Sequence, residues 1–240
     1  MAKVILNHLK LVYKNKRKDY TTVTDDLSVV FDDAQVSVII GASGCGKTSI
    51  LRAIAGILAP ESGNIFFDNV DVTNFDPGSR NISYVSQAIG VYPNLSVFNN
   101  IAFPLRVAHT PADEIRERVQ EVVEMLKIEH LLARKPRELS IGQAQRVAIA
   151  RAIVKRSIVY LFDEPFSNLD KSLSSELIAE LHSLFKKLRA TVIFVSHDTN
   201  EGFSIADKVY VMDGGKIIKQ GKPMDILRSN DERVRRLIKE

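Results

Sequence analysis

The nonapeptide "GASGCGKTS" at residues 41–49 combines three glycines with a lysine and the hydroxyls of Ser43, Thr48 and Ser49. Gly41, Gly46, Lys47 and Thr48 fit the spacing G-x-x-x-x-G-K-S/T, a loop that cradles nucleotide phosphates. Glycines at 41, 44 and 46 let successive backbone N–H groups close round an anion, and a helix opening just afterwards points its positive end at the same charge. In such a loop the lysine reaches the β- and γ-phosphates and the hydroxyl at position 48 can ligate Mg²⁺. A plain Gly-rich turn before a core helix is the alternative, and the flanking residues weigh against it. "VSVII" (36–40) reads as a fully buried strand, and Ile50, Leu51, Ile54, Ala55 and Leu58 form one apolar helix face.

A second stretch, "IVYLFDEP" (158–165), ends an apolar strand in two adjacent carboxylates, Asp163 and Glu164. Neighbours on a strand face opposite ways, so the two can take different tasks. Asp163 suits a Mg²⁺ shell, and Glu164 is placed to take a proton from an attacking water. In isolation the pair could be a charged strand exit; beside a phosphate loop it reads as catalytic. A third stretch, "LSIGQAQRVAIARA" (139–152), opens a helix with a serine and a glycine. Further along lie "SNLD" (167–170) and "SHD" (196–198), and upstream "YVSQ" (84–87).

The elements that must hold these residues fall into three zones. Residues 3–40 alternate as strands ("VILNHLKLVY", "LSVVF", "VSVII") and predict an antiparallel sheet ahead of the phosphate loop. Residues 60–63 should end the first helix, "NIFFDNVDV" should form a hairpin turning at Asp68 and Asn69, and "NISYV" should be a strand leading to Gln87. Between about 90 and 155 strand signals give way to helical ones. The pair Thr110 and Pro111, with Asp113 beyond, marks a helix start with Ile115, Val119, Val122, Val123 and Leu126 as its buried stripe, and residues 88–104 read as a loop mixing apolar residues with proline. A second helix should start near Ser140. Strands return at 158–162, 191–196 and 208–213, with a long helix carrying Leu173, Leu177, Ile178, Leu181, Leu184, Phe185 and Leu188 between the first two. Apolar strands alternating with helices describe a parallel sheet covered on both faces.

Composition narrows the partners. Lys and Arg total 33 against 29 Asp and Glu, a net +4 too mild and too dispersed to point to nucleic acid. The basic end, 228–239, reads as a solvated helix, with an anionic membrane surface as the lesser alternative. No apolar run approaches the roughly 18–20 residues that span a bilayer, and the N-terminus carries no apolar signal region. A soluble protein in a reducing compartment is expected, since the single cysteine, Cys45, allows no internal disulfide. Cys45 itself reads as a small loop residue whose backbone matters.

The six motifs in this order resemble the ATP-binding cassette (ABC) family, and the resemblance covers nearly the whole chain. It implies an α/β fold: a P-loop NTPase core with a parallel sheet flanked by helices, an N-terminal antiparallel β subdomain and an inserted α-helical subdomain. The core and antiparallel β part would span about 1–89 and 156–240, and the helical part about 90–155, in one nucleotide-binding domain. Residue by residue, Tyr13 resembles the aromatic that stacks on adenine, with Tyr20 a second candidate. Residues 41–49 match the Walker A loop, Gln87 the Q-loop glutamine near the metal, Asp163 and Glu164 the Walker B pair, and His197 the switch histidine. Ser140, Gly142 and Gln143 would contact ATP held by a second subunit, with Asp170 at the same interface. Two anion sites for one γ-phosphate imply two chains, and a head-to-tail pair with ATP at both seams would be closed and symmetric.

The resemblance further implies an ATPase with ATP and Mg²⁺ as ligands, peripheral on the inner face of a cell membrane. Transmembrane permease subunits, a homodimer or ABC heterodimer, and an extracytoplasmic solute-binding protein if the system imports would be its partners; nucleic acid would not. "VYPNLSVFNNIAFPL" and "DEPFSNLD" are closer to sugar and polyamine importers than the "DEPTGNLD" of many exporters. Such importers usually continue into a C-terminal regulatory domain, whereas this chain stops at Glu240. The sequence departs from the family at Ile141, where glycine is usual, at Ala144, where a basic residue is common, and in "DTNEGF" after His197. A β-branched residue tolerates φ > 0 poorly, so residue 141 is expected to be helical.

Overall fold

The computed structural model describes residues 1–240 apart from 15–19, 168, 170 and 240, and at 172 and 173 it describes the backbone alone. Two sheets organise the chain. The first joins β1 (Val4–Lys14), β2 (Tyr20–Phe31), β4 (Ser62–Phe67) and β5 (Val70–Asp71) in the antiparallel order β2-β1-β4-β5. Strict alternation along β1 would put only one set of side chains inside. Instead Val4, Leu6, Leu9 and Leu11 are all buried, because the register shifts between Leu6 and Leu9, where His8 takes a φ of 49°. Gly63 of β4 lies under that bulge: a Cβ there would meet the His8 carbonyl oxygen at 2.3 Å. The bulge switches the phase of the strand and keeps both halves on the core side.

The second sheet runs β10-β9-β3-β8-β7-β6, built from β3 (Val36–Ile40), β6 (Ile82–Val85), β7 (Val159–Asp163), β8 (Thr191–Ser196), β9 (Lys208–Asp213) and β10 (Lys216–Gly221). All pairings are parallel except the hairpin of β9 with β10. Its alternate residues feed two cores. Val38, Ile40, Phe162 and Phe194 point into one, with the helices α2 (Val97–Val107), α3 (Ala112–Met125), α4 (Ile141–Ile153) and α5 (Lys171–Leu188). Ile39, Leu161, Ile193 and Tyr210 point into the other, with α1 (Lys47–Ile54) and the antiparallel sheet. Burial on both faces explains why these strands read as continuous apolar runs. Three short α-helices, α6 (Thr199–Ile205), α7 (Pro223–Leu227) and α8 (Glu232–Leu237), and three 3₁₀ turns at Pro77–Arg80, Glu129–Leu131 and Pro136–Glu138 complete the order among the described residues.

The expected fold class and the stripe of α3 are borne out, all five stripe residues being buried. Five expectations need correction. "VSVII" is not in the antiparallel sheet but is the third strand of the parallel one, hydrogen-bonded to β8 and β9. The first helix ends at Ile54, well before Pro60, because Gly56 turns the chain at φ 77°. Residues 97–104 of the expected loop 88–104 belong instead to α2, with Ser96 as N-cap and Pro104 inside the helix. Buried Asn100 secures its first turns: its side chain donates to the Tyr92, Leu95 and Ser96 carbonyls and accepts from the Tyr92 N–H. Thr110 caps nothing, for α3 starts at Ala112 with Pro111 in the cap position. The basic C-terminal segment is only half solvated, since Val234 and Leu237 of α8 are buried. Leu173, expected in the stripe of α5, lies outside the described side chains.

Candidate functional site

The loop after β3 is shaped by contacts that only glycine permits. Gly46, at φ 110°, leaves 2.6 Å between a would-be Cβ and Val23 Cγ1, and at Gly41 a Cβ would lie 2.2 Å from the Met212 carbonyl oxygen. The backbone therefore presses against β2 and β9. Cys45 is half-buried, and burial, outweighing the pull of Lys47, pushes its thiol up. It packs on the core as a small apolar residue.

Lys47 opens α1 and is itself buried, its Nζ donating to the Gly41 and Ala42 carbonyls at 2.7 and 3.0 Å. The amine is thus folded across the mouth of the loop. Thr48 points the other way, its Oγ1 donating to Asp163 Oδ1 at 2.8 Å. Tyr84 of β6 donates to Asp163 Oδ2, also at 2.8 Å. Burial, then the hydrogen bond to Asp163, drives the Tyr84 phenol well above its usual range, so it remains a donor.

Glu164 follows directly and sits in left-handed backbone, φ 48°, anchored by its N–H on the Val195 carbonyl. A non-glycine residue held there stores on the order of 1–3 kcal/mol, a cost that recurs at functional sites. That turn carries its carboxylate away from Asp163 toward two other side chains: Oε2 accepts from Gln87 Nε2 at 3.3 Å and lies 3.0 Å from His197 Nδ1. Two polar residues from the ends of β6 and β8 thus converge on one carboxylate oxygen.

A cavity of about 400 Å³ opens in front of these groups, lined by Tyr13, Ser43, Gly44, Lys47, Gln87 and Glu164, among others. Tyr13 shares a 3.2 Å hydrogen bond with Ser49. Tyr20 is exposed, with Lys14 over its ring, and does not line the cavity. Ser140, Gly142 and Gln143 do not line it either. They open α4, where Ser140 Oγ accepts from the Gln143 N–H and Gln143 Oε1 accepts from the Ser140 N–H. Ile141 is helical, as expected, and exposed. Asp170 lies outside the described residues.

Thr48 and Asp163 put a hydroxyl and a carboxylate side by side, the hard oxygen donors that Mg²⁺ takes. Among the described residues no cluster of three or more His, Cys, Asp and Glu could hold a metal. Mg²⁺ fits such a sparse set, because it keeps waters and substrate phosphates in its shell. Sequence reasoning missed two residues of this neighbourhood. Tyr84 was visible only as part of "YVSQ", and Arg52, one turn into α1, lies beside the Tyr13 and Tyr84 hydroxyls. Burial works against the Arg52 charge, but those two hydroxyls more than offset it and hold the guanidinium above its ordinary value.

A parallel sheet whose first buried strand feeds a glycine loop and helix, with two carboxylates at the end of the next strand but one, defines a P-loop nucleotide-binding protein. The family model "ABC transporter" matches residues 24–167, and the chain belongs to that family. Among curated relatives it is 42% identical over 219 residues to the sn-glycerol-3-phosphate import ATP-binding protein UgpC of Yersinia enterocolitica, covering 91% of this chain and 60% of the relative. It is 37% identical over 226 residues to the maltose/maltodextrin import ATP-binding protein MalK of Photorhabdus laumondii, covering 94% and 60%. The chain therefore spans about 60% of the length of these relatives. Among solved structures, the dimeric bacterial ABC transporter cassette MJ0796 superposes with a TM-score of 0.82 at 26% identity, over 92% of this chain and 98% of that one. A second structure of that cassette is described as a post-hydrolysis dimer bound to ADP and Pi, with the same score. Among the described residues no helix is long and apolar enough to cross a membrane.

Proposed function

We propose that this chain binds and hydrolyses ATP to drive solute import across a membrane, working as a dimer with ATP at each seam. The observation that carries the reading is the convergence of Gln87 and His197 on the Glu164 carboxylate at the edge of the phosphate-loop cavity. In this reading residues 41–49 wrap the phosphates, and Lys47 exchanges its two loop carbonyls for phosphate oxygens. Tyr13 stacks on the adenine at the far end of the cavity. Glu164 accepts the proton of the attacking water, while His197 and Gln87 fix the carboxylate's orientation. Thr48, Asp163 and Gln87 would hold Mg²⁺, which when bound neutralises charge on the transferring phosphoryl group. Ser140, Gly142, Gln143 and Asp170 serve the ATP of the partner chain, consistent with the first three lying away from this chain's cavity.

Import is supported by the relatives' names, both of which are import ATP-binding proteins. Residues 90–155 form the helical subdomain that docks the transmembrane permease, placing the chain on the inner face of the membrane. A groove of about 550 Å³ supports this: Tyr84, Tyr92, Phe103, Val107 and Arg151 line it where β6, α2 and α4 meet. Its rim exposes Tyr92, Phe103 and Val107 together, an apolar surface of the kind that partners cover. A solute-binding protein outside the membrane would complete the system.

The test is the Glu164→Gln variant, sized by chromatography with light scattering with and without Mg-ATP. A monomer that dimerises only with ATP, and releases phosphate at least about 100-fold more slowly than wild type, is expected. Hydrolysis at the wild-type rate would overturn the assignment of Glu164 as base.

A further inference from the structure

The phosphate loop, its carboxylates and its polar convergence account for most titratable side chains near the cavity, yet the hydroxyl of half-buried Tyr84 remains without a role. Tyr84 lies on β6, the edge strand of the parallel sheet, and pairs backbone to backbone with Leu161 of β7, two residues before Asp163. Its ring crosses that interval, and the hydroxyl reaches Asp163 Oδ2 at 2.8 Å. Asp163 Oδ1 is taken by Thr48 at 2.8 Å. Both oxygens of the carboxylate are thus held by hydroxyls from different elements, one from the loop helix and one from the edge strand. Asp163 is itself buried, so its rotation is set by these two bonds. The Tyr84 hydroxyl donates its proton in its bond to Asp163, and the Arg52 guanidinium lies beside it.

We propose that Tyr84 is a positioning residue for the cation at this site: its hydroxyl fixes the plane of the Asp163 carboxylate, leaving Oδ1 beside Thr48 as the metal-facing oxygen. The inference rests on the reading of Asp163 as a Mg²⁺ ligand. Hydrogen-bond partners of a ligating carboxylate restrict its orientation, and losing one typically costs about 10–100-fold in metal affinity. Thr48 cannot substitute, because its hydroxyl leaves Asp163 to meet the metal, whereas Tyr84 stays on the other oxygen throughout. Tyr84 also lines the groove proposed above for the permease, so one side chain touches both places.

The experiment measures binding of a fluorescent ADP analogue to purified wild type, Tyr84→Phe and Tyr84→Met across a Mg²⁺ titration, and again in EDTA. Both variants remove the hydroxyl and keep an apolar side chain. The Mg²⁺ concentration for half-maximal binding should rise about tenfold or more in each, while affinity in EDTA stays within about twofold. The EDTA arm separates a metal effect from damage to the fold, since a distorted loop would weaken binding in both arms. A Mg²⁺ midpoint unchanged in either variant, or a loss equal with and without Mg²⁺, would overturn the role of Tyr84. Absence of nucleotide binding by wild type would instead sink the ATPase reading, and this inference with it.

Discussion

His197 Nδ1 and Glu164 Oε2 stand 3.0 Å apart across the ends of β8 and β7, while their exposures differ sharply: the histidine side chain is 55% exposed and the carboxylate 18%. The carboxylate is fixed by a strained backbone and the histidine reaches in from solvent, so the contact can be made and broken by a small movement of the residues after β8. His197→Ala should therefore reduce kcat by about 100-fold or more, the range for removing a group that orders proton transfer. ATP affinity should stay within about threefold. Steady-state phosphate release with a parallel binding measurement checks both; a rise in KM with kcat intact would show that the histidine only binds substrate.

Gly46 supplies the sharpest steric test of the loop. Alanine there would face a φ of 110° and a contact of 2.6 Å with Val23 Cγ1. Both penalties act in the folded state, and strain of this kind is of order 1–3 kcal/mol. Gly46→Ala should lower the melting temperature by several degrees and abolish nucleotide binding at millimolar ATP. Adding Val23→Ala removes the steric contact but leaves the dihedral strain, so it should recover part of the stability and little of the binding. Full recovery of binding would mean that space, rather than backbone conformation, is what the glycine provides.

Arg80 marks the limit of what the sequence makes legible. The phosphate loop, the carboxylate pair and the convergence partners sit in short contiguous motifs after apolar strands, and so the strand–loop–helix context could be read directly. Arg80 belongs to no motif. It is buried, and its guanidinium donates to the carbonyls of Ala53, Ile54, Thr73 and Phe75 at 2.8–3.0 Å. It thereby caps the end of α1 from 27 residues away, through space made by Gly56. The same distance hid Tyr84, whose partner is 79 residues on, and the true sheet of β3, whose neighbours β8 and β9 come more than 150 residues later. Helix α2 was missed for a local reason: Pro104 reads as a breaker, yet the helix runs through it to Val107.

The Arg80 arrangement predicts that Arg80→Met, which keeps the bulk and removes the donors, leaves buried carbonyls unpaired. A loss of at least about 2 kcal/mol is expected, or roughly 4–8 °C in melting temperature for a chain of this size. Arg80→Lys should recover little, because an ammonium cannot span four acceptors in the guanidinium plane. Equal stability of Lys and Arg variants would show that charge at the helix end matters and the bonds do not.

Glu201 offers a test in pH. It lies on α6 just after His197, where burial first and then the Asp198 charge raise its pKa, with Ser174 and Ser196 hydrogen bonds and His197 pulling the other way. A carboxyl whose folded pKa exceeds its unfolded value binds its proton more tightly in the folded state. Its contribution to stability is therefore full below the unfolded value of about 4.3 and is lost as pH rises through the folded pKa. Glu201→Gln keeps the shape without the charge. Relative to wild type, the variant should gain melting temperature on going from pH 4.5 to pH 7.5. A difference that is flat or reversed across that interval would show that the charged form is the one the fold accommodates.

Ile141 tests the unusual motif at the start of α4. Its backbone is helical, its side chain is 57% exposed, and the turn it opens is closed by the reciprocal bonds of Ser140 and Gln143. Nothing in that geometry requires glycine, and nothing is gained in the single chain by isoleucine beyond helix propensity. Ile141→Gly should therefore cost only about 0.5–1 kcal/mol, the backbone entropy of glycine in a helix. Its effect on association is separable. In the Glu164→Gln background, the ATP concentration that drives half of the chains into dimers should move by less than about threefold, because in the proposed dimer Ser140, the helix N–H groups and Gln143, rather than the side chain at 141, serve the partner's ATP. Tighter dimerisation by tenfold or more would mean that the exposed isoleucine obstructs the seam, and that this chain's usual partner accommodates it with a different surface.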